Sequence, residues 1–181
     1  MDVNIQERSM SFFTEYDISA PGRDLYAKKE MFTLFNKIVL QVAEGEILAT
    51  LQGQFSVLRD RYEFDLAGGR VYHFECVDRW KSVYECQCGE DKFTLYQHKG
   101  LNHSIFKNEV QIASYSKNRV SFGKGNKYEV RMDSDADLVL IVSMVLALSV
   151  SDDNDDQTTV NIDFGSIGPQ AKEPDSSWEP R

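Results

Sequence analysis

The chain has little cysteine: Cys76, Cys86 and Cys88, an odd number without regular spacing. That excludes a disulfide-framed secreted scaffold and fits a reducing, cytosolic setting. The first residues, MDVNIQERSMSFF, lack a basic stretch followed by an apolar core, so no export signal is expected. A myristoylation glycine and a prenylation cysteine are missing too. Basic excess is also wanting. The net charge is −9; residues 152–181 hold eight acids and two bases, so −6 sits there and −3 remains on residues 1–151. Generic nucleic-acid binding needs a concentrated basic surface and is therefore not expected. The nearly balanced body leaves room for a local basic patch.

A bilayer-length apolar run is missing as well. The longest candidate, residues 136–150, reads ADLVLIVSMVLALSV. As a helix it rises only ~22 Å, short of the ~20 apolar residues a span needs. Acids flank both ends, with no Lys or Arg to anchor it at an interface. The chain is expected not to be transmembrane. The polar interruptions Asp137, Ser143 and Ser149 fall near 0°, 240° and 120° on a helical wheel of ~100° per residue, so they mark no polar side. A helix apolar all round must be buried all round. We therefore expect a core helix over about 135–151, with Leu138, Leu140, Ile141, Met144, Val145 and Leu148 as core positions.

Before residue 135 no segment has a convincing helical period. The pattern is instead short strands and tight turns. Residues 37–42 and 47–52 flank Ala43-Glu44-Gly45-Glu46 as a hairpin. Further strands are expected at 54–59, 61–66, 71–77, 82–88, 92–98, 104–107, 110–116, 120–122 and 127–132. Their spacing, about 8–12 residues, signals a sandwich or barrel. Residues 1–23 read as an N-terminal arm in which Met10, Phe12, Thr14, Tyr16 and Ile18 alternate as one strand before Pro21-Gly22. Residues 24–167 form a single domain, with an acidic loop at 152–156 and one further strand at 158–164. Residues 168–181 read as a disordered tail.

Short echoes recur in the same order in both halves. Phe32-Thr33-Leu34 returns as Phe93-Thr94-Leu95, and Tyr62-Glu63-Phe64 resembles Tyr128-Glu129-Val130. Two similar half-sheets could wrap one central object, and a sheet that closes loses its sticky edges. About twelve strands make a barrel too wide for side chains alone to fill, because eight already suffice for that. The apolar helix is the natural plug.

Several segments then carry a resemblance. They are residues 25–32 (LYAKKEMF), the hairpin through Gly45 ending Ile47-Leu48-Ala49, residues 55–63 (FSVLRDRYE) and residues 135–140 (DADLVL). Over about 24–152 the chain resembles the LURP-one-related family, akin to tubby C-terminal-like and phospholipid scramblase-like proteins. The resemblance implies a mainly β fold, a twelve-stranded antiparallel closed barrel around one hydrophobic helix. It implies no enzymatic activity and no cofactor. Tubby-like relatives bind phosphoinositide headgroups through basic residues. Scramblase relatives are linked to lipid movement and calcium. Two departures weaken that transfer: the chain is acidic, and it continues some thirty residues past the helix.

Candidate sites are few. Arg59 and Arg61 share a strand face, Arg79 and Lys81 repeat that spacing around Trp80, and Lys28-Lys29 stand in the first half. Paired cations suit a phosphate, and an aromatic beside them could enter a membrane interface. The opposing reading is a solvated face balanced by Asp60, Glu63 and Asp78. Cys86 and Cys88 also share a face and could offer thiolates to zinc with His73 or His98. Cys-x-Cys is not the usual knuckle, however, and buried free cysteines are common. His98 and His103 flank a turn. Asp152, Asn154 and Asp156 stand at alternate positions, as in a calcium loop, but Gln157 and Asp163 occupy the places that need Gly and Glu. Gly68-Gly69 and Gly123-Lys124-Gly125 read as hairpin turns rather than phosphate loops, since no helix follows them. The expectation is a cytoplasmic, non-enzymatic scaffold or sensor domain, peripheral at a membrane or bound to a protein partner. The alternatives are a small-molecule binder or enzyme with a cleft at a barrel mouth, and a scramblase-like membrane protein.

Overall fold

In the computed structural model the chain forms the expected closed barrel. Residues 1–10, 13–30, 36–54, 61–119, 125–156 and 170–181 are described, with the backbone alone for 9, 10, 119 and 152–156. The strands are β1 (Asp2–Met10), β2 (Phe13–Ala20), β3 (Arg23–Glu30), β4 (Lys37–Val42), β5 (Ile47–Gly53) and β6 (Arg61–Leu66). They continue with β7 (Arg70–Asp78), β8 (Val83–Cys88), β9 (Asp91–His98), β10 (Asn102–Lys107), β11 (Val110–Arg119) and β12 (Asn126–Met132), before the helix α1 (Leu138–Asp156). Each strand pairs antiparallel with the next, and β1 closes the ring on β12. No edge is left in the ring to recruit another chain.

Two-residue alternation selects the inner wall. On β6 Tyr62, Phe64 and Leu66 are buried, while Arg61, Glu63 and Asp65 are not. On β12 Tyr128, Val130 and Met132 are buried. Polar-out and apolar-in is the reverse of an outer-membrane barrel, whose lipid-facing band is apolar. Among the described residues no helix is long and apolar enough to cross a membrane.

The plug is as the periodicity requires. Leu140 to Val150 are all 2 % exposed or less. The helix hydroxyls are satisfied locally. Ser143 Oγ donates to the Val139 carbonyl at 2.7 Å, and Ser151 Oγ to that of Ala147 at 3.2 Å. Ser149 Oγ lies 2.8 Å from the Leu146 carbonyl and 3.0 Å from the Tyr16 hydroxyl. Such back-bonding lets a buried helix carry serine without orphaned hydroxyls. The N-cap is Asp137, whose Oδ1 accepts the Leu140 N–H at 3.2 Å. Its other oxygen meets Arg70 Nη2 at 2.9 Å, tying the helix start to the β6–β7 turn.

Three sequence expectations are corrected. The N-terminal arm is two barrel strands, not one. Met10 pairs with Phe13, so the alternation read across residues 10–18 runs through a hairpin. The loop expected at 152–156 is the last part of α1. The tail is not disordered over residues 170–181. Arg181 N–H donates to Asp133 Oδ1 at 2.7 Å, Ser134 N–H to the Arg181 carbonyl at 2.8 Å, and the Trp178 indole to the Gln111 carbonyl at 3.2 Å. Lys172 Nζ sits 3.7 Å from the Phe106 ring centroid. This strap covers outward-facing residues of β9 and β10, so Thr94, His98, Ser104 and Phe106 are buried although they point away from the lumen. The strands expected at 54–59, 120–122 and 158–164 fall largely on residues outside the described ones.

Candidate functional site

The nominated cations come to one end of the barrel. Strands alternate in direction, so the end of β3, the start of β6 and the β7–β8 turn all lie where α1 finishes. The turn is shaped by two features. Asp78 Oδ1 accepts the Lys81 N–H at 3.1 Å, and Ser82 takes a left-handed φ of 50°. The loop pushes Trp80 outward to 76 % exposure, with exposed Arg79 and Lys81 on either side. Trp80 is the most exposed of the large apolar side chains described. The others (Ile47, Val71 and Val110) begin strands at the far end of the barrel.

The remaining cations are placed less favourably for an anion. Arg61 Nε is spent on Glu75 Oε2 at 3.0 Å. Lys28 lies 3.6 Å from Glu15 and 5.2 Å from the Phe13 ring centroid. Lys29, the next residue along β3, turns to the opposite face and is half-buried. β3 stands four strands from β7, so Lys28 and the Trp80 turn share a rim but not a patch. Arg59 lies outside the described residues.

Among the described residues, the cysteine and histidine candidates do not assemble. Cys86 is buried between Phe74 and Phe93 on the inner wall, and burial, with a small push from Cys88, raises its thiol pKa. His73 is on the outer face, 3.7 Å from Glu63. His98 also faces outward, from β9. Among the described residues no group of three or more His, Cys, Asp or Glu side chains could hold a metal ion. The backbone of Asp152, Asn154 and Asp156 is helical, which is not the conformation of a calcium loop.

His98 Nε2 lies 2.7 Å from Ser104 Oγ, a hydroxyl–imidazole pair that the sequence alone did not nominate. Both residues are buried. Burial lowers the His98 pKa, against weaker raising contributions from Gln170 and the Lys172 backbone. A catalytic serine needs its base held by a third group; the groups beside this imidazole, Gln170 and the Lys172 backbone, are neutral.

His103 points into the barrel and stacks on Tyr115, with ring centroids 4.1 Å apart. Neither of its nitrogens has a hydrogen-bond partner. Burial first, then His98 and Lys117, push its pKa down to about 3. It is therefore neutral at physiological pH. Nearby on the inner wall Glu7 is 2 % exposed and accepts from Asn126 Nδ2 at 2.8 Å and the Tyr128 hydroxyl at 3.4 Å. The lumen is thus apolar around most of α1 and polar where the helix finishes.

The comparisons agree with this architecture. No curated protein and no solved structure matches the chain. A family model described as LURP-one-related matches residues 1–149, from the first strand through almost all of the buried helix. That span includes β1 and β2, so the N-terminal strands are part of the family domain, and the chain belongs to the LURP-one-related family.

Proposed function

We propose that this LURP-one-like domain is a non-enzymatic, cytoplasmic scaffold or sensor that works through its outer surface. Its best-supported contact is with anionic phospholipid headgroups, through the Trp80 turn. The observation that carries this reading is the exposed indole between two exposed cations at a rigid barrel rim. An amphipathic ring settles at the headgroup level while flanking cations meet the negative surface. The filled lumen supports the same conclusion. Leu140 to Val150 occupy the space in which a barrel-mouth cleft would continue inward. Arg61 is a weaker contributor than its spacing implied, because Glu75 neutralises it.

Sedimentation with phosphatidylcholine vesicles, with and without phosphatidylserine and a phosphoinositide, tests the reading. Each cation near an anionic surface contributes about 1 kcal/mol. Neutralising both, in Arg79→Gln/Lys81→Gln, should weaken the partition roughly thirtyfold. Trp80→Ala should weaken it further and remove any blue shift of its fluorescence. Absence of sedimentation with acidic vesicles, or binding equal in wild type and variants, would overturn the membrane contact. A protein partner at the same turn would then be the reading to pursue.

A further inference from the structure

The outer wall holds a trough on strands other than the two that the Trp80 turn joins. Its floor is two rows of side chains that run across four strands. One row is Asn4, Glu129, Ser116 and Asn102; the next is Asp2, Arg131, Ser114 and Ser104. The three serines are short, which makes the floor concave between longer flanking groups. Residues 174–178 of the strap form one bank, and the open trough has a volume of about 500 Å³. The strap is fixed there by Trp178 on the Gln111 carbonyl and by Arg181 on Asp133.

The chemistry of the lining is selective. All eight floor side chains are polar. An acyl chain or apolar peptide would strip their hydration without replacing it, at a cost of about 1–3 kcal/mol for each group left unpaired. Three carboxylates, on Asp2, Glu129 and Asp175, line the trough with one cation, Arg131, and a second cation, Lys127, pairs with Glu129 Oε1 at 2.7 Å. Phosphates and carboxylates are repelled on balance. Hydroxyl groups suit the site, because each can donate to a carboxylate and accept from an amide or guanidinium. Neighbouring partners in a row are separated by the ~4.8 Å strand spacing, close to the span between alternate hydroxyls on a six-membered ring. Trp178 adds one large apolar wall for the C–H face of such a ring.

We propose that this trough is a binding site for a neutral polyhydroxylated ligand, a sugar or cyclitol of one or two rings. Its volume lies within the ~300–1,000 Å³ usual for small-molecule sites. The proposal does not depend on the lipid contact: the trough lies on β10, β11, β12 and β1, and the Trp80 turn joins β7 to β8.

The test uses the full chain carrying Trp80→Phe, which leaves Trp178 as the single tryptophan. Its fluorescence is titrated with glucose, N-acetylglucosamine, maltose and myo-inositol, and with glucose 6-phosphate as the anionic control. A saturable change with at least one neutral compound, at least tenfold weaker for the phosphate, is expected. Ser114→Leu/Ser116→Leu should abolish the response by filling the floor. Glu129→Gln, a near-isosteric change on an exposed face, should weaken it at least tenfold with an unchanged melting temperature. The site is overturned by no saturable response to any neutral compound, by equal or tighter binding of the phosphate, or by full binding in the folded Glu129→Gln chain.

Discussion

Leu146→Ala tests the central packing claim most directly. Leu146 is fully buried on α1, inside a wall whose twelve strands are each hydrogen-bonded on both sides. The substitution removes three carbons, a transfer loss of roughly 2.4 kcal/mol at ~0.8 kcal/mol per buried methylene. A cavity term is then added, and it is largest where the surroundings cannot collapse. A closed barrel is such a place: strand number and pairing fix its girth, so the wall cannot follow the missing side chain inward. The total should lie near 3–5 kcal/mol, the upper part of the range for such substitutions. Urea unfolding monitored by circular dichroism reads this out. With a slope of about 2 kcal/mol per molar, the midpoint should fall by about 1.5–2.5 M with the slope unchanged. Ile47→Ala is the internal control, since that side chain is 53 % exposed and its loss should cost no more than about 0.5 kcal/mol. If the two variants unfold at the same midpoint, or Leu146→Ala loses under about 1 kcal/mol, the helix is not enclosed by a rigid wall.

Acid should destabilise the fold through His103. Its folded pKa, about 3, lies below its ordinary value near 6.5 because of burial. The unfolded chain therefore binds the extra proton first, and stability falls as pH drops from about 6.5 toward 3, by up to ~1.4 kcal/mol per pH unit. Urea midpoints for wild type and His103→Gln should diverge across that window, and parallel curves would refute it. Gly125→Ala should cost more than the ~1 kcal/mol of a strained left-handed residue. Gly125 has a φ of 73°, and an added Cβ would stand 2.7 Å from the Glu7 carbonyl carbon; an unchanged thermal midpoint would contradict this. Asp133→Ala removes a carboxylate that is 1 % exposed and leaves the Arg181 amide without its acceptor. It should release the strap, seen as faster tryptic cleavage after Lys172, and cost about 1–3 kcal/mol; cleavage at the wild-type rate would show that the strap is held elsewhere.

The helix and the barrel were legible because their signals are redundant. Residues 136–150 offer no polar side, and alternation such as Tyr62-Glu63-Phe64 fixes a wall with one dry face. What was missed lacked a local signal. Met10 pairs with Phe13, and the sequence around them holds no Gly, Pro or Asn to signal a turn, so the alternation on the two sides read as one strand. Glu7 blurred β1 further, since an inward carboxylate breaks the apolar pattern, and only its long-range partners Asn126 and Tyr128 explain it. The acids at 152–156 read as loop because acidic residues oppose the negative end of the helix dipole, yet α1 continues through them. The strap failed for a different reason. Its composition is that of a disordered tail, and it is held by a few specific bonds to Asp133 and Gln111 that no pattern within residues 170–181 encodes. The basic pairs were visible, but spacing alone could not show that Glu75 claims Arg61 or that Lys28 and Lys29 face opposite ways.

These differences follow from where stability and recognition reside. The lumen is filled by α1, and most of its polar groups are matched within the chain: Tyr16 with Ser149, and Glu7 with Asn126 and Tyr128. A change there disturbs many neighbours at once, because the interior is dense and cannot rearrange. The outer faces of the strands carry no such burden. Ser114 or Glu129 can be replaced without touching α1, since alternation sends their side chains away from it. Binding chemistry on this fold is therefore free to change on the outside while the wall and its plug stay constant. A second consequence concerns the strap. It buries outward residues such as Phe106 and Ser104 on a wall that is already closed, so it adds little that the barrel needs for closure and instead shapes the trough on β10 to β12. Loss of the strap should accordingly lower stability modestly while altering what the outer wall can bind.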